Sequence, residues 1–289
     1  MREKKQSEQP ETQLIVCGVS GHMGQAIVQA VQHTPALRIA AGVVAPNSAQ
    51  VSKKAQQDGP AWNKDFTLYG TLLCALQQHH TARCVVLDFS VADVCVNHVQ
   101  ACQQHRVAYV TGVTGLQPIQ YQALQQASQT IPVLHASNMS LGVNVLHMLC
   151  CLAARLLPDA DIEISELHHR LKRDHPSGTA MWLARQMAKI REWPLDCVRS
   201  QSREGVRKKQ EIGIASLRGG DERGSHTIHM IRQHEALQLT HQAASRAAYA
   251  QGALLACQHI TNQPAGQYSM QNVLKSLLHD NLQNILDCI

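Results

Sequence analysis

The sequence has 289 residues, of which 44% are hydrophobic and only 3% aromatic, and its formal net charge is +5. This length accommodates one large domain or two modest ones, each with an aliphatic core. A weak positive charge with few aromatic rings argues against a nucleic-acid partner and suits an anionic metabolite.

We find no sequence pattern of export or of a membrane partner. The polar N-terminus lacks the apolar segment of a secretory signal. The most apolar helix-like run, VLHMLCCLAARLL, is too short to span a bilayer. Ten cysteines without C-x-x-C spacing are expected to be reduced, which favours a cytoplasmic protein.

The first half of the chain alternates between strand and helix patterns. Residues 1–12 are charged and polar, and we expect them to form a disordered tail. We then predict strands at 14–18, 37–44, 84–90, 107–113 and 131–137, and helices at 25–33, 71–78, 94–105 and 121–128. This alternation predicts an α/β fold with a parallel, doubly wound sheet.

The pattern changes after about residue 138. We predict helices at 143–156 and 177–192, strands at 161–169, 213–220, 226–233 and 236–243, and closing helices at 253–261 and 272–278. Because these strands follow one another with few intervening helices, they predict a second sheet, antiparallel or mixed, in an α+β region.

A glycine-rich turn joins the first predicted strand to the first predicted helix. In LIVCGVSGHMG the glycines are Gly18, Gly21 and Gly24. Glycines at such a turn let the backbone approach a pyrophosphate, which then lies at the positive end of the helix. Because the spacing differs from the common G-x-G-x-x-G, a tight turn without a ligand is the alternative.

The end of the second predicted strand bears on the choice of coenzyme. An acidic residue about 20 positions beyond the glycines usually binds the ribose of NAD, but this strand ends in VVAP. Without a carboxylate there, a 2′-phosphate is tolerated, and Lys53 and Lys54 follow closely enough to pair with it. We therefore expect NADPH or NADH, with NADPH favoured; solvated loop charges are the alternative interpretation of the two lysines.

Six potentially cationic side chains crowd the segment ELHHRLKRDHPSGTA, residues 166–180. Ser177 is a good N-cap residue, and the amides of Gly178 and Thr179 begin a helix, which forms an anion site. We expect a planar diacid to place one carboxylate there. A solvated basic loop before an ordinary capped helix is the alternative.

His168, His169 and Lys172 lie close in sequence to that helix start. As a histidine, His168 is a natural proton donor, while Lys172 or His169 would bind the rest of the diacid. No metal is expected, because adjacent histidines on a strand point to opposite faces and neither H-E-x-x-H nor a cysteine pair lies nearby.

Several motifs occur together in chain order. They are GVSGHMG at 18–24, DFS at 88–90, GVTG at 112–115, ASNMSLGVN at 136–144 and ELHHRLKRDHPSGTA at 166–180. With these, and with SLRGGDERGSHTI and LTHQAASRAAYAQGA further on, the chain resembles the dihydrodipicolinate reductase (4-hydroxy-tetrahydrodipicolinate reductase) family over about residues 13–280.

The resemblance implies a fold and a reaction. Residues 13–137 and 251–289 would form a Rossmann-like dinucleotide-binding domain, and residues 138–250 an inserted substrate-binding domain whose sheet builds a homotetramer. The enzyme would use NADPH or NADH to reduce 4-hydroxy-tetrahydrodipicolinate, a cyclic dicarboxylate, to tetrahydrodipicolinate with loss of water. This reaction belongs to the diaminopimelate route of lysine biosynthesis.

The resemblance also implies roles for individual residues. His168 is the proton donor and acceptor, and Lys172 a proton donor. The substrate positions are His169, Ser177, Gly178 and Thr179. The coenzyme positions are Gly18, Val19, Ser20, Gly21, His22, Met23, Gly112, Val113, Thr114, Ala136, Ser137, Asn138 and Met139.

Some coenzyme positions depart from the family pattern. His22 stands where an arginine is usual, and Val44 where an acidic residue is usual. Val113 replaces a threonine, and Met139 stands where an aromatic residue is usual. The catalytic positions match, so these departures bear on coenzyme preference and affinity rather than on the reaction.

Two other functions stay open from the sequence. Another nicotinamide oxidoreductase, such as a homoserine- or aspartate-type dehydrogenase, would leave the HH-x-x-K and PSGT motifs unexplained. A catalytically silent NAD(P)-binding regulatory protein of the same fold would account for the altered coenzyme turn, but the retention of His168 and Lys172 argues against it.

Overall fold

The computed structural model describes residues 11–48, 66–199 and 205–286. Most of the predicted tail, residues 1–10, and the predicted phosphate partners Lys53 and Lys54 lie outside these ranges. The first strand begins at Thr12, the last residue assigned to the tail from sequence. Two compact units form: the described residues up to Ser140 together with those from Tyr249 onward, and Leu141–Ala248.

The described residues contain twelve strands. They are β1 (Thr12–Cys17), β2 (Leu37–Val43), β3 (Thr67–Tyr69), β4 (Cys84–Asp88), β5 (Ala108–Thr111), β6 (Pro132–His135), β7 (Asp161–His168), β8 (Val198–Arg199), β9 (Ile212–Arg218), β10 (Ser225–Ile231), β11 (Ala236–Gln242) and β12 (Gly266–Tyr268).

Eight α-helices accompany these strands in the described ranges. They are α1 (His22–Val31), α2 (Leu72–His79), α3 (Cys95–His105), α4 (Pro118–Ala127), α5 (Leu141–Leu156), α6 (Gly178–Ile190), α7 (Ala247–Ile260) and α8 (Met270–Leu286). None of them combines the length and apolar character needed to cross a membrane.

The first unit is built on a seven-stranded sheet in the order β12-β6-β5-β4-β1-β2-β3, with every pair parallel. Leu14 and Val16 of β1 pack into the core on one face of the sheet, and Ile15 and Cys17 into the core on the other. Because both faces are covered, the strand is a continuous apolar run rather than an alternating one. The predicted Rossmann-like parallel sheet is confirmed.

The second unit has a five-stranded sheet in the order β11-β10-β7-β9-β8. The central strand β7 is antiparallel to β10 and parallel to β9, so the predicted second sheet is mixed. Alternate residues of β7 are buried, and its Ile162 and Ile164 share a core with Leu146 of α5 and Leu183 of α6. One face of this sheet is therefore covered by helices, as the alternation requires.

Several element boundaries differ from those predicted. Helices α1, α4 and α7 begin three to six residues earlier than their apolar spacing indicated, and α8 extends to Leu286. Most of the residues in these additional turns are polar or small, and the few large apolar ones do not extend the helical spacing. The strand predicted at 226–233 ends at Ile231.

Candidate active site

The first unit carries a large cleft at the carboxyl ends of its parallel strands. From β1 the chain proceeds outward to β2 and β3, and then returns to continue on the other side through β4. Ligands of doubly wound sheets bind at this reversal of strand order. The cleft has a volume of about 680 Å³ and is lined by residues of the β1–α1 turn, the ends of β2 and β4, and α3.

The glycine turn forms one wall of this cleft. Gly18 has φ +74°, and a Cβ there would lie 2.7 Å from the carbonyl oxygen of Phe89. Gly24 is equally constrained, since its Cβ would approach the Gly18 carbonyl oxygen to 2.4 Å. Gly21 caps α1 without any side-chain hydrogen bond, so this helix start can receive an anion through its amides. These features fit a dinucleotide pyrophosphate.

The other predicted coenzyme positions divide by exposure. Val19, Val113 and Met139 have buried side chains, so any contact they make with a coenzyme is through the backbone. Gly112 has no room for a side chain, because a Cβ would lie 2.2 Å from the Phe89 ring. The exposed positions are Ser20, Gly21, His22, Thr114 and Ser137, while Gly18, Met23, Ala136 and Asn138 are half-buried.

The end of β2 confirms the sequence impression of an uncharged wall. Val44 and Ala45 line the cleft, and none of its described lining residues is acidic. The residues that could place a positive charge there, Lys53 and Lys54, lie outside the described ranges.

A buried polar cluster lies at the end of β4, next to the cleft lining at Ser90 and His98. The Asp88 carboxylate accepts hydrogen bonds from Tyr109 Oη at 2.6 Å, from His98 Nδ1 at 2.7 Å and from the Ser90 amide at 2.8 Å. Burial alone would raise the pKa of Asp88, but the bonds from His98, Ser90 and Tyr109 outweigh it and lower that pKa.

Cys17, Asp88 and His98 are also close enough together to hold a metal ion. Burial raises the pKa of the Cys17 thiol well above its ordinary value, which disfavours the thiolate that a metal ligand requires. Asp88 is already occupied by three donors, so we interpret the group as a hydrogen-bonded cluster.

In the second unit, Glu166 and His168 lie on the same face of β7 because side chains alternate along a strand. His168 Nδ1 lies 2.5 Å from Glu166 Oε2, and Glu166 is only 1% exposed. A carboxylate that binds Nδ1 orients the imidazole and leaves Nε2 available to exchange a proton with a ligand.

Arg218 completes this group from the neighbouring strand. Strand register places it beside His168, at the end of β9. Its guanidinium donates two hydrogen bonds of 2.9 Å, one to each oxygen of Glu166. Burial would raise the pKa of Glu166, but the hydrogen bonds from His168 and Arg218 hold that pKa well below its usual range. Glu166 is therefore an anion despite its burial.

Ser177 ties the start of α6 to the same carboxylate. Its amide donates to Glu166 Oε1 at 3.2 Å, and its hydroxyl accepts the Ala180 N–H at 3.2 Å. The hydroxyl also lies 3.0 Å from His226 Nε2. Ser177 is buried with its polar groups engaged, so it positions the helix start rather than presenting itself to a ligand. Gly178 is exposed, with open space beside its Cα.

Lys172 lies in the turn between β7 and α6. Its ammonium group contacts both carboxylate oxygens of Asp174, at 2.8 and 2.9 Å. Its amide donates to the carbonyl of His169, a half-buried residue. Arg218 also donates to the Asp174 carbonyl at 2.7 Å, which links this turn to β9.

Two further residues close around the His168 ring. His226 of β10 makes an edge-to-face contact with it, at 5.2 Å between ring centroids. Burial, reinforced by the nearby His168, lowers the pKa of His226 to about 4, so it is neutral at physiological pH. Gly224 lies against the free nitrogen, because a Cβ there would be 3.0 Å from His168 Nε2.

Two family profiles match the chain in succession. The profile described as "Dihydrodipicolinate reductase, N-terminus" matches residues 12–139, and "Dihydrodipicolinate reductase, C-terminus" matches residues 142–274. The chain belongs to the dihydrodipicolinate reductase family.

Relatives named 4-hydroxy-tetrahydrodipicolinate reductase extend over almost the whole chain. Those from Pseudomonas fluorescens SBW25 and Myxococcus xanthus DK1622 are 38% and 34% identical to it, over 90% of this chain and 98% and 96% of their own lengths. A dipicolinate-bound dihydrodipicolinate reductase structure from Paenisporosarcina sp. TG-14 has a TM-score of 0.72 at 20% identity, covering 90% of this chain and 97% of its own.

The fold alone does not select the reaction. An amine dehydrogenase from Mycobacterium smegmatis shares it with a TM-score of 0.56 at 11% identity, covering 91% of this chain and 96% of its own. The family assignment therefore depends on sequence, and the chemistry on the residues of the site.

Sequence reasoning brought His168, His169, Lys172, Ser177, Gly178 and Thr179 together in one short segment, but it missed residues that surround them. The place of Glu166 beside His168 could have been predicted, because residues two positions apart on a strand lie on the same face of the sheet. Arg218 and His226 carried no local signal, since their place beside β7 depends on the pairing of β9 and β10 with it.

Proposed function

We propose that this member of the dihydrodipicolinate reductase family reduces 4-hydroxy-tetrahydrodipicolinate to tetrahydrodipicolinate with loss of water, at the expense of NADPH or NADH. The observation that carries the proposal is the ion pair between Glu166 and Arg218, which orients the His168 ring. The turn that follows His168 carries Lys172 and leads directly into the start of α6. This arrangement joins a proton donor to an anion site, as reduction of a diacid requires.

We assign the coenzyme to the cleft of the first unit. The glycine turn at Gly18 to Met23 would hold the pyrophosphate, and the stretches at 112–114 and 136–139 would line the nicotinamide. When bound, the coenzyme supplies the hydride. The uncharged end of β2 is compatible with a 2′-phosphate, and this supports a preference for NADPH over NADH.

We assign the substrate carboxylates to the second unit. The first turn of α6, at Gly178 and Thr179, would bind one carboxylate through its positive end. Lys172 and His169 would bind the remaining negative charge. To bind the substrate, the Lys172 ammonium must release the Asp174 carboxylate or contact both anions at once. The Asp174 side chain is exposed, so water can hydrate its carboxylate when Lys172 leaves it.

We assign the proton transfer to His168. Hydride addition leaves negative charge on the ring of the substrate, and a cationic donor both stabilises that charge and neutralises it. The proton would leave Nε2, while Nδ1 keeps its proton and its hydrogen bond to Glu166. Lys172 would add positive charge at the same site and serve as a second proton donor.

Two wider assignments rest on the resemblance. We propose that the protein acts in the cytoplasm and assembles as a homotetramer through the sheet of the second unit. The face of that sheet away from α5 and α6 carries exposed apolar side chains, such as Leu217 and Ile231, which supports an interface there.

A coupled assay tests the reaction. The condensation product of aspartate semialdehyde and pyruvate is added to the purified protein, and nicotinamide absorbance is followed with NADPH and with NADH in parallel. We expect substrate-dependent oxidation of both, with a lower KM for NADPH. Absence of oxidation with either coenzyme, in protein that still binds NADPH by calorimetry, would instead support the silent regulatory function.

A further inference from the structure

Each of the two oxygens of Glu166 accepts at least two hydrogen bonds. Oε2 accepts from His168 Nδ1 at 2.5 Å and from Arg218 at 2.9 Å. Oε1 accepts from the other Arg218 nitrogen at 2.9 Å and from the Ser177 amide at 3.2 Å. One buried carboxylate therefore joins the proposed proton donor to the N-cap of the proposed anion-binding helix.

We propose that Glu166 is a positioning residue that fixes both the tautomer of His168 and the distance from His168 to the first turn of α6. The proposal rests on the proposed function, which gives His168 and that helix turn their roles. Arg218 belongs to the same device, because its two parallel hydrogen bonds prevent the carboxylate from rotating away from either partner.

The chemical reason lies in the two nitrogens of imidazole. With Nδ1–H bound to a carboxylate, neutral His168 can carry its single proton only on Nδ1, so Nε2 is the atom that gains and loses a proton. Without this partner, the neutral ring is free to hold its proton on Nε2 and to turn.

The second effect is geometric. Ser177 is held from two sides, by Glu166 at its amide and by His226 at its hydroxyl. Because Ser177 is the N-cap of α6, the amides of the following turn take their position from it. The distance between this turn and His168 is therefore fixed for a diacid that contacts both. Displacement of the substrate from His168 by about 1 Å is enough to lower the rate substantially.

Other ionisable groups lie around the pair. They are Arg218 from β9, His226 from β10, Lys172 and Asp174 from the β7–α6 turn, and Glu222 from the turn before β10.

The test compares Glu166→Gln with Glu235→Gln. Glu235 is a matched control, since it also pairs with an arginine, Arg232, but lies exposed on the β10–β11 turn. We expect Glu166→Gln to lower kcat about 100-fold, the scale of one general acid, and to weaken binding of pyridine-2,6-dicarboxylate about tenfold by calorimetry. Glu235→Gln should retain both values.

A spectroscopic measurement separates positioning from a merely structural effect. Protein labelled with 15N-histidine reports the tautomer of each ring, and the His168 signal is identified by its loss in His168→Gln. We expect neutral His168 to carry its proton on Nδ1 in the wild type and to shift toward the Nε2–H form in Glu166→Gln. If Glu166→Gln does not fold, the tautomer of His168 in the wild-type protein still tests the proposal.

Neutral His168 with its proton on Nε2 in the wild type would overturn the proposal, as would unchanged kcat and dipicolinate affinity in Glu166→Gln. Failure of the proposed function gives a different result. In that case the wild-type protein oxidises neither coenzyme, yet its His168 tautomer still depends on Glu166.

Discussion

At the scale of single residues, only Nε2 of His168 remains for the proposed proton transfer, because Nδ1 is held by Glu166. We expect His168→Gln to lower kcat about 100-fold or more and to change KM little, since its role lies in the transition state. Steady-state kinetics check this, with the exposed His234→Gln as control. A kcat equal to that of the wild type would exclude His168 as the proton donor.

Gly224 lies beside that nitrogen. Its φ of +146° is unfavourable for any other residue, and a methyl group there would lie 3.0 Å from His168 Nε2. We expect Gly224→Ala to lower kcat/KM at least about tenfold, the scale of a displaced proton donor, and to destabilise the fold by about 1–3 kcal/mol. Kinetics and urea unfolding measure the two effects separately. Unchanged kinetics would mean that Nε2 is approached from another side.

The site was predictable only where it is local in sequence. His168, Lys172 and the turn at Ser177 to Thr179 lie within twelve residues of one another. A single sequence motif therefore predicted all of them. The carboxylate–arginine pair was not predictable, because Arg218 is separated from Glu166 by 52 residues. Their contact depends on which strand pairs with β7 and in which register, and neither is encoded in a short motif.

At the scale of elements, the β1–α1 turn depends on a backbone that only glycine adopts easily. Gly18→Ala would combine left-handed strain of about 1–2 kcal/mol with a methyl group 2.7 Å from the Phe89 carbonyl oxygen. We expect the Kd for NADPH to rise about tenfold, the effect of losing roughly one charge-assisted hydrogen bond. Calorimetry measures this.

Gly205→Ala is the matched control for this turn. Gly205 has φ +80° but open space around it, and it lies in the other unit. It should therefore share the strain and retain the coenzyme affinity. Equal loss of affinity in both variants would show that the turn does not contact the coenzyme.

The elements themselves were predicted unevenly. The buried strands β1, β4 and β5, of four to six residues, were predictable as apolar runs, and β7 was predictable from its alternation. The strands β3, β8 and β12 were missed, because two or three residues carry no periodic pattern. Each lies at the edge of its sheet, where pairing with one neighbour is enough to define it.

At the scale of the whole molecule, stability should depend on pH through His226. Burial lowers the pKa of His226 to about 4, below the value of about 6.5 in an unfolded chain. Between these values the unfolded state binds more protons, so stability is complete above pH 6.5 and falls as the pH drops towards 4. The loss is on the order of 3 kcal/mol.

Denaturant unfolding followed by tryptophan fluorescence measures this dependence, since two of the three tryptophans, Trp182 and Trp193, lie in the second unit. We expect His226→Gln to flatten the stability profile between pH 6.5 and 4. Glu166, whose pKa is lowered, would add its own loss only at more acid pH, as its carboxylate becomes protonated. A profile that is equally steep in His226→Gln would assign the acid sensitivity to another group.

Assembly can be tested through the open face of the second sheet. Leu217 and Ile231 are 55% and 44% exposed there. If this face forms the interface, the wild type should elute as four chains, and Leu217→Glu should shift the mass measured by light scattering to a smaller species. Leu195→Glu, at an exposed leucine outside the sheet, is the control. A monomeric wild type would refute the interface.

The position of the proposed proton donor, His168, on β7 has a consequence for its protection from local unfolding. β7 is the middle strand of five and is bonded along its length to β10 and β9. Its amide protons should therefore be among the slowest of the second unit to exchange with deuterium. Local opening at the edge strands β11 and β8 leaves both neighbours of β7 paired with it, so His168 would keep its position while the edges of the sheet open.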